Sequence, residues 1–311
     1  MLLYKCGVKS KIMEEIMILN VSGRTDIIAF YEKWFMNRLN AGFVDVRNPF
    51  NPNLVSRINF SDVDLILFCT KNPIPILNDL DKIKIPFIFH VTITPYKNDI
   101  EPNVISKTEI INAVKKISTI IGKDNIYIRY DPIFLSDKYN IVYHIKAFNK
   151  LCTLLKGYVN TIIVSFLDEY KNVLKNKNIL KYRQFTENEY KLIGENFSNI
   201  ARTNNMVVQT CFEDRNLTEY GFKKEECLSH ELAYKLTGKT YKSWKARKER
   251  KCECVEMVDV GCYNSCKHFC KYCYANYDEK MVNENFKNHD VNSSLLCGNL
   301  KKDDIIKVRN K

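Results

Sequence analysis

The feature that most constrains this chain is a unit that recurs eight times along it. Each unit is a short apolar strand that runs into a small polar motif, and an amphipathic helix usually follows. Strand–helix alternation with nearly continuous apolar strands predicts a parallel sheet covered by helices. The sequence therefore predicts an α/β fold with a single (β/α)8 TIM-like barrel, and an open doubly wound sheet is the alternative. The predicted strands, with the motifs that end them, span 17–26, 43–50, 63–73, 87–96, 126–132, 161–170, 206–214 and 255–266.

The helices between these strands carry their own signals. An apolar stripe at helical spacing follows the first strand and consists of Ile27, Phe30, Tyr31, Trp34 and Phe35. Ser106 with Glu109, and Thr186 with Glu189, have the spacing of capping boxes. These two pairs predict the N-termini of two later helices.

Length and composition are compatible with one domain of this kind. The chain has 311 residues, of which 45% are hydrophobic and 27% are charged, as in an ordinary globular protein. No run approaches the roughly 18 apolar residues of a membrane helix, and the N-terminus lacks a signal-peptide pattern. We therefore expect a cytoplasmic protein without a membrane partner. We predict one barrel domain over 17–311, preceded by an N-terminal extension at 1–16.

The formal net charge of +12 raises the question of a nucleic-acid partner. The lysines are spread through segments rich in Asn and Ile, and only the segment from Lys242 to Lys251 concentrates the charge. A solvated helix face explains such a segment more simply than a polyanion-binding surface does. We do not favour nucleic acid as a partner.

Polar side chains follow nearly every predicted strand, and a barrel gathers these strand ends at one mouth. Helix caps and turns explain some of them, and Asp26 can simply cap the helix that follows it. We predict that four of them, Arg129, Asp131, Lys71 and Asn72, are catalytic. The whole set is Ser22, Arg24, Asp26, Asn48, Lys71, Asn72, Thr92, Thr94, Arg129, Asp131, Asp168 and Glu169.

Arg129 and Asp131 allow two interpretations. Strand alternation places both on the face opposite Ile128 and Tyr130. In one interpretation they form an internal pair that braces the loop. In the other, the guanidinium group points into the mouth and meets a carboxylate or phosphate of a cofactor or substrate.

Twelve cysteines in a chain predicted to be cytoplasmic indicate metal binding rather than a disulfide framework. The stretch CYNSCKHFCKYCYAN, residues 262–276, contains Cys266, Cys270 and Cys273 in the spacing C-x3-C-x2-C, with Tyr272 before the last. Three thiolates from one loop can hold three irons of a [4Fe–4S] cluster and leave the fourth iron open to a small molecule. A zinc site that recruits Cys262 is the alternative.

A second set of thiols makes the whole region 211–276 rich in cysteine. The set consists of Cys211, Cys227, Cys252 and Cys254. Four thiols are the right number for an auxiliary, fully ligated [4Fe–4S] cluster near the barrel mouth. A structural zinc ion that holds the 213–254 loop, or a set of unligated thiols, are the alternatives.

The C-x3-C-x2-C spacing with an aromatic residue before the last cysteine resembles the signature of radical S-adenosylmethionine enzymes. The wider pattern, with SGRTD, NPF, TKNP, EPN and RYDP, is similar to a family of uncharacterised bacterial proteins. The C-terminal cysteines of that family have been likened to a radical S-adenosylmethionine cluster. The resemblance implies an open iron that binds S-adenosylmethionine and a reductant such as flavodoxin or ferredoxin. It also implies a 5′-deoxyadenosyl radical that abstracts hydrogen from an unknown substrate.

In typical radical S-adenosylmethionine enzymes the cluster loop follows the first barrel strand, whereas here it follows the last predicted one. The first and last strands of a closed barrel are neighbours, so the resemblance implies a circularly permuted barrel. The Gly-Gly-Glu motif that usually binds the methionyl amino group is missing, and we expect Ser22, Arg24, Asp26 and Tyr272 to bind the cofactor. The alternative function is a non-catalytic protein that binds zinc or nucleic acid and whose cysteines are structural.

Overall fold

The computed structural model describes residues 17–211, 213–244 and 253–309, so the predicted extension at 1–16 lies outside the described residues. Among the helices of these ranges we find none with the length and hydropathy of a membrane span. The strands are β1 (Met17–Val21), β2 (Phe43–Arg47), β3 (Leu54–Asn59), β4 (Val63–Thr70), β5 (Phe87–Thr92), β6 (Ile126–Ile133), β7 (Thr161–Phe166), β8 (Val207–Thr210), β9 (Lys223–Lys224), β10 (Val258–Asp259) and β11 (Ile305–Val308). The helices are α1 (Ile27–Ala41), α2 (Lys107–Ile121), α3 (Ile141–Leu155), α4 (Lys171–Lys175), α5 (Lys177–Leu180), α6 (Glu187–Thr203), α7 (His230–Thr237) and α8 (Glu279–Lys287).

The main sheet has eight strands in the order β10-β1-β4-β5-β6-β7-β8-β9, and every neighbouring pair is parallel. The predicted α/β class with a parallel sheet is therefore confirmed. From β1 to β9 the order follows the chain without a reversal, whereas a doubly wound sheet reverses at a switch point. Within the described residues β9 does not pair with β10, so the sheet is open and the closed barrel is not confirmed.

The last strand of this sheet lies beside the first. Leu19 of β1 pairs in parallel with Val258 of β10, and Asn20 pairs with Asp259. Parallel neighbours end at the same edge of a sheet, so the SGRTD motif after β1 and the cysteine loop after β10 begin side by side. This neighbour relation is the one that a permuted barrel requires.

The predicted strand at 43–50 does not belong to the main sheet, so that prediction is wrong. Its residues form β2, which pairs antiparallel with β3, and β11 adds to β3 to complete a separate three-stranded sheet. The six residues between β2 and β3 suffice for a hairpin but not for the longer crossover that parallel strands need. Asp45, which is 1% exposed, accepts two hydrogen bonds of 2.8 Å from the guanidinium group of Arg57.

The two faces of the main sheet pack against different layers. Leu19, Ile66 and Phe89 belong to a core that includes buried residues of α1, α2, α3 and α6, and we call this side the helix face. The alternate residues Ile18 and Leu65 pack instead against residues between 228 and 257, including those of α7. We call this side the inner face. Alternation along each strand therefore decides whether a side chain faces the helices or the inner layer.

The predicted helix signals have mixed outcomes. Four of the five residues in the α1 stripe are buried, and Phe30 is half-buried. Thr186 and Glu189 form the predicted capping box, with hydrogen bonds of 2.9 and 3.2 Å in the two directions. Ser106 precedes α2 as predicted, but its hydroxyl group makes no capping hydrogen bond, so the first capping box is wrong.

A buried histidine ties α3 to the sheet. The Nδ1 atom of His144 lies 3.0 Å from the hydroxyl group of Tyr130 on β6, and its Nε2 lies 3.0 Å from the carbonyl oxygen of Phe134. Burial lowers the pKa of His144 to about 4, although the hydrogen bond to Phe134 opposes this shift. The fold therefore holds the imidazole in its neutral form.

We expect the stability of the protein to fall as the pH falls from about 6.5 to about 4, because the unfolded chain binds a proton that folded His144 does not. In His144→Gln, the loss of unfolding free energy between about pH 7 and about pH 4.5 should be roughly 2 kcal/mol smaller than in the wild type. Urea unfolding at the two pH values measures both losses. Other titrating groups are common to the two proteins and cancel. An identical pH dependence in the two proteins would contradict the prediction.

Candidate functional site

The loop after β10 carries Cys266, Cys270 and Cys273 at the edge where β1 and β10 end. Cys266 is buried and the other two are half-buried. Burial raises the pKa of all three thiols, that of Cys270 to about 12, and the other two thiols raise the pKa of Cys266 further. The three sulfurs are thus close enough to interact, yet across the described residues they do not form a group whose ligand atoms all lie within 4.8 Å.

Amide side chains from other segments hold this loop in place. Asn103 donates through Nδ2 to the carbonyl oxygen of Lys267 at 2.8 Å. Asn172 of α4 donates in the same way to the carbonyl oxygen of Tyr274 at 2.9 Å, and Asn176 makes a third such bond at 2.7 Å. These contacts fall between the three cysteines and directly after the last one, so the loop is shaped by the protein itself.

Glu101 is the centre of a polar network beside Cys270. It is 1% exposed, and its carboxylate accepts hydrogen bonds from four side chains, those of Lys71, Thr94, Lys107 and Tyr272. Burial alone would raise the pKa of Glu101, but the ammonium groups of Lys71 and Lys107 lower it to about 2. Two ammonium groups against one carboxylate leave positive charge next to Cys270.

Asp26 joins three elements of this edge. Its Oδ1 accepts the backbone N–H of Ala29 at 3.0 Å and so caps α1, as the sequence suggests. Its Oδ2 accepts the backbone N–H of Lys71 at the end of β4, at 2.7 Å, and Nε2–H of His268 at 2.9 Å. His268 belongs to the cysteine loop and is 2% exposed. One buried carboxylate therefore fixes α1, β4 and the loop relative to one another.

Asp259 on β10 organises the SGRTD motif. Arg24 donates through Nε to Oδ1 of Asp259 at 3.1 Å and through Nη2 to its carbonyl oxygen at 2.8 Å. The hydroxyl oxygen of Ser22 accepts the backbone N–H of Arg24 at 3.2 Å. A Cβ atom at Gly261 would lie 2.1 Å from Ser22 Oγ, so the close approach of the two strand ends requires glycine. The cofactor-binding residues predicted here thus have partners within the protein.

The predicted catalytic residues lie in two places. Arg129 and Asp131 are on the inner face of β6, and Arg129 Nε donates to Asp131 Oδ2 at 2.9 Å. Ser165 on β7 donates to the same oxygen at 3.4 Å, so the geometry is that of the internal pair. Lys71 belongs to the Glu101 network instead. Asn72 accepts a backbone hydrogen bond of 3.2 Å in the turn after β4.

Three thiols of the second set meet at the inner face. The sulfurs of Cys227 and Cys254 lie 3.3 Å apart, and those of Cys211 and Cys254 lie 3.8 Å apart. All three sulfurs lie within 4.8 Å of one another, so the group can hold a metal ion. Hydrogen bonds with Cys211 and Cys254 lower the pKa of Cys227 well below its usual value. Cys252, the fourth predicted member, lies outside the described residues.

Three polar residues that lie beside the two cysteine sets were not predicted from the sequence. Glu101 belongs to the EPN motif but lies in a loop, where a search for polar strand ends does not reach it. Asp259 lies in a strand of two residues, which is too short to show a strand pattern in the sequence. His90 stands in the middle of β5, which is otherwise nearly all apolar. A lone polar residue inside a strand buried on both faces is the signal that could have found it.

The match to a known family runs from β1 to just beyond the cysteine loop. A family model described as a domain of unknown function (DUF1848) matches residues 18–275. The chain belongs to this family. The DUF1848 match therefore contains both cysteine sets and every strand of the main sheet, whereas α8 and β11 lie beyond it. Among curated proteins there is no match.

We expect Asp26→Ala to destabilise the protein by about 3 kcal/mol, because it removes a helix cap and leaves two buried donors unpaired. Asp278 is a matched control, because it is an exposed aspartate that caps α8 by accepting the backbone N–H of Met281 at 3.0 Å. Asp278→Ala should lower the free energy of unfolding by about 1 kcal/mol. Urea unfolding measures both values. If the two substitutions cost the same, Asp26 is only a cap.

Proposed function

We propose that this protein is a radical S-adenosylmethionine enzyme in which Cys266, Cys270 and Cys273 hold a [4Fe–4S] cluster. The observation that supports this most strongly is the place of the loop in the sheet. It follows β10, which pairs with β1 and stands first in the spatial order of the parallel strands. The cluster loop of radical S-adenosylmethionine enzymes likewise follows the first strand of their barrel.

The donor set at this loop suits a cluster better than a single ion. The sulfurs of a tetrahedral zinc site lie about 3.8 Å apart, since each zinc–sulfur bond is about 2.3 Å long. In at least one pair of the loop sulfurs, the two atoms lie more than 4.8 Å apart, as expected when each thiolate binds its own iron. Cys262, the residue that a zinc site would recruit, has a thiol that donates to the carbonyl oxygen of Tyr263 at 3.4 Å. Three thiolates then leave one iron open for a small molecule.

When bound, such a cluster supplies the electron that cleaves S-adenosylmethionine to a 5′-deoxyadenosyl radical. The chain itself holds the ligands and balances their charge. The ammonium groups of Lys71 and Lys107 lie near Cys270 and oppose the rise that burial causes in its pKa. The hydroxyl group of Tyr272 donates to Glu101, which fixes the backbone between Cys270 and Cys273.

We place S-adenosylmethionine at the end of β1, because the SGRTD motif adjoins the cysteine loop. Asp259 and Asp26 would act there by holding the backbone of the motif and the position of the loop. The substrate would lie farther along the sheet, where β6 to β8 end. Glu213 lies there, and its carboxylate accepts the backbone N–H of Phe166 at 2.9 Å. Burial raises the pKa of Glu213 to about 8. A polar substrate and a flavodoxin- or ferredoxin-like reductant belong to this proposal.

The second candidate function is a non-catalytic metal-binding protein. The observation that favours it is the close group of Cys211, Cys227 and Cys254, which suits a structural ion. The group is separate from the loop after β10, so a structural ion there is compatible with catalysis at the loop. The basic segment that would serve a nucleic-acid partner, 242–251, lies mostly outside the described residues.

We expect the protein purified without oxygen to be brown, with about four irons per chain bound at the loop after β10. Changing Cys266, Cys270 and Cys273 together to Ala should remove this iron. It should also abolish the release of 5′-deoxyadenosine from S-adenosylmethionine in the presence of dithionite. Cys152→Ala is the matched control, because Cys152 is a buried thiol on α3, away from both cysteine sets. The control should keep both the iron and the cleavage. Wild-type iron in the triple variant would exclude the assignment.

A further inference from the structure

We propose that Cys211, Cys227 and Cys254, together with His90, form a second metal site that binds a single zinc ion. The number of cysteines predicts an auxiliary [4Fe–4S] cluster, but the spacing of the three sulfurs points to one ion, and the unpartnered ring nitrogen of His90 is the candidate for its fourth ligand. The site would be structural, and it would connect the two ends of the open sheet.

The spacing of the sulfurs distinguishes one ion from a cluster. A single tetrahedral zinc ion places its sulfurs about 3.8 Å apart. The observed separations are 3.8 Å between Cys211 and Cys254 and 3.3 Å between Cys227 and Cys254. Thiolates of a [4Fe–4S] cluster lie farther apart, because each binds a different iron. The loop after β10 provides the contrast within the same chain, because its three sulfurs do not form such a group.

His90 on β5 offers a fourth donor beside the group, although its ring nitrogens do not lie within 4.8 Å of all three sulfurs, so the ring must move toward them when the ion binds. It is 1% exposed, and in the described part of the chain its Nε2 has no hydrogen-bond partner. The ring of His90 interacts electrostatically with the Cys227 thiol, so the two side chains are neighbours. The backbone of Cys227 also hydrogen-bonds the ring. A histidine that binds a metal through one nitrogen usually donates its other N–H to a backbone carbonyl, a carboxylate or water.

The surrounding charge suits this ligand set. Three thiolates around a divalent ion leave a net charge of −1 (+2 − 3 = −1). The guanidinium group of Arg129 interacts electrostatically with Cys227 and Cys211, so it lies near the group. Arg129 therefore has a counter-charge role at this site in addition to its pair with Asp131. A substrate contact is not needed to explain a half-buried arginine here.

The position of the ligands indicates what the ion would do. Cys211 follows β8, which pairs with the edge strand β9, and Cys254 precedes β10 at the opposite edge. Cys227 begins the inner layer, in which Leu228 and Val255 pack against the sheet. One ion would therefore join both ends of the sheet and the layer between them. Coordination of the ion would bridge the gap between β9 and β10, which backbone hydrogen bonds do not close in the described residues.

The test uses the full chain with Cys266, Cys270 and Cys273 changed to Ala, so that iron at the first loop cannot contribute. We expect this protein to contain about one zinc and no iron. About four irons per chain would mean that the second set holds a cluster, and would overturn the proposal. This outcome is independent of the proposed activity, which depends on the iron that the triple substitution removes.

Cobalt(II) in place of zinc reports the ligands through its thiolate charge-transfer absorption. In the same background, His90→Ala should weaken zinc binding about tenfold or more, and Cys252→Ser is the matched control that should leave it unchanged. His90→Cys keeps four ligands and should raise the charge-transfer absorption by about one third, from three thiolates to four. The His90→Cys variant also keeps the assignment of His90 testable if His90→Ala does not fold. Unchanged zinc affinity in His90→Ala, or an unchanged cobalt spectrum in His90→Cys, would overturn the assignment of His90.

Discussion

The parallel pairing of β10 with β1 is the constraint on which the positions of both cysteine sets depend. β10 has only two residues, and its pairing is reinforced by the side chain of Asp259, which binds Arg24 across the strand ends. Cys254 lies just before this strand and Cys266 just after it. If β10 did not dock beside β1, neither the inner cysteine group nor the loop at the edge would have a defined position.

The two cysteine sets differ in the environment that the protein provides. At the loop after β10, burial dominates and raises the pKa of the thiols, so metal binding there must displace protons. At the inner face, hydrogen bonds between thiols and the charge of Arg129 lower the pKa of Cys227. Different spacing and different electrostatics in one chain are consistent with two different metal groups.

Strand periodicity predicted the class of fold because burial on both faces leaves a clear apolar signal. Seven of the eight predicted strands contain a strand of the main sheet, and the exception is 43–50. That segment has Asp45 and Arg47 among its five strand residues and is less apolar than most of the others, and its choice of partner depends on the length of the next connection and on the pair between Asp45 and Arg57. The cysteine spacing indicated metal binding, whereas His90 and Glu101 were missed because neither follows a strand.

The sequence by itself determined the parallel α/β class, the alternation that puts Arg129 and Asp131 on one face, and the presence of two cysteine sets. These features are local, because they depend on period and spacing along the chain. Only the tertiary structure decided that the sheet stays open within the described residues and that Asp26 holds His268. It also decided that three distant thiols meet within 4.8 Å. Such contacts join residues up to 242 positions apart, and no local pattern specifies which distant partner a buried polar group will find.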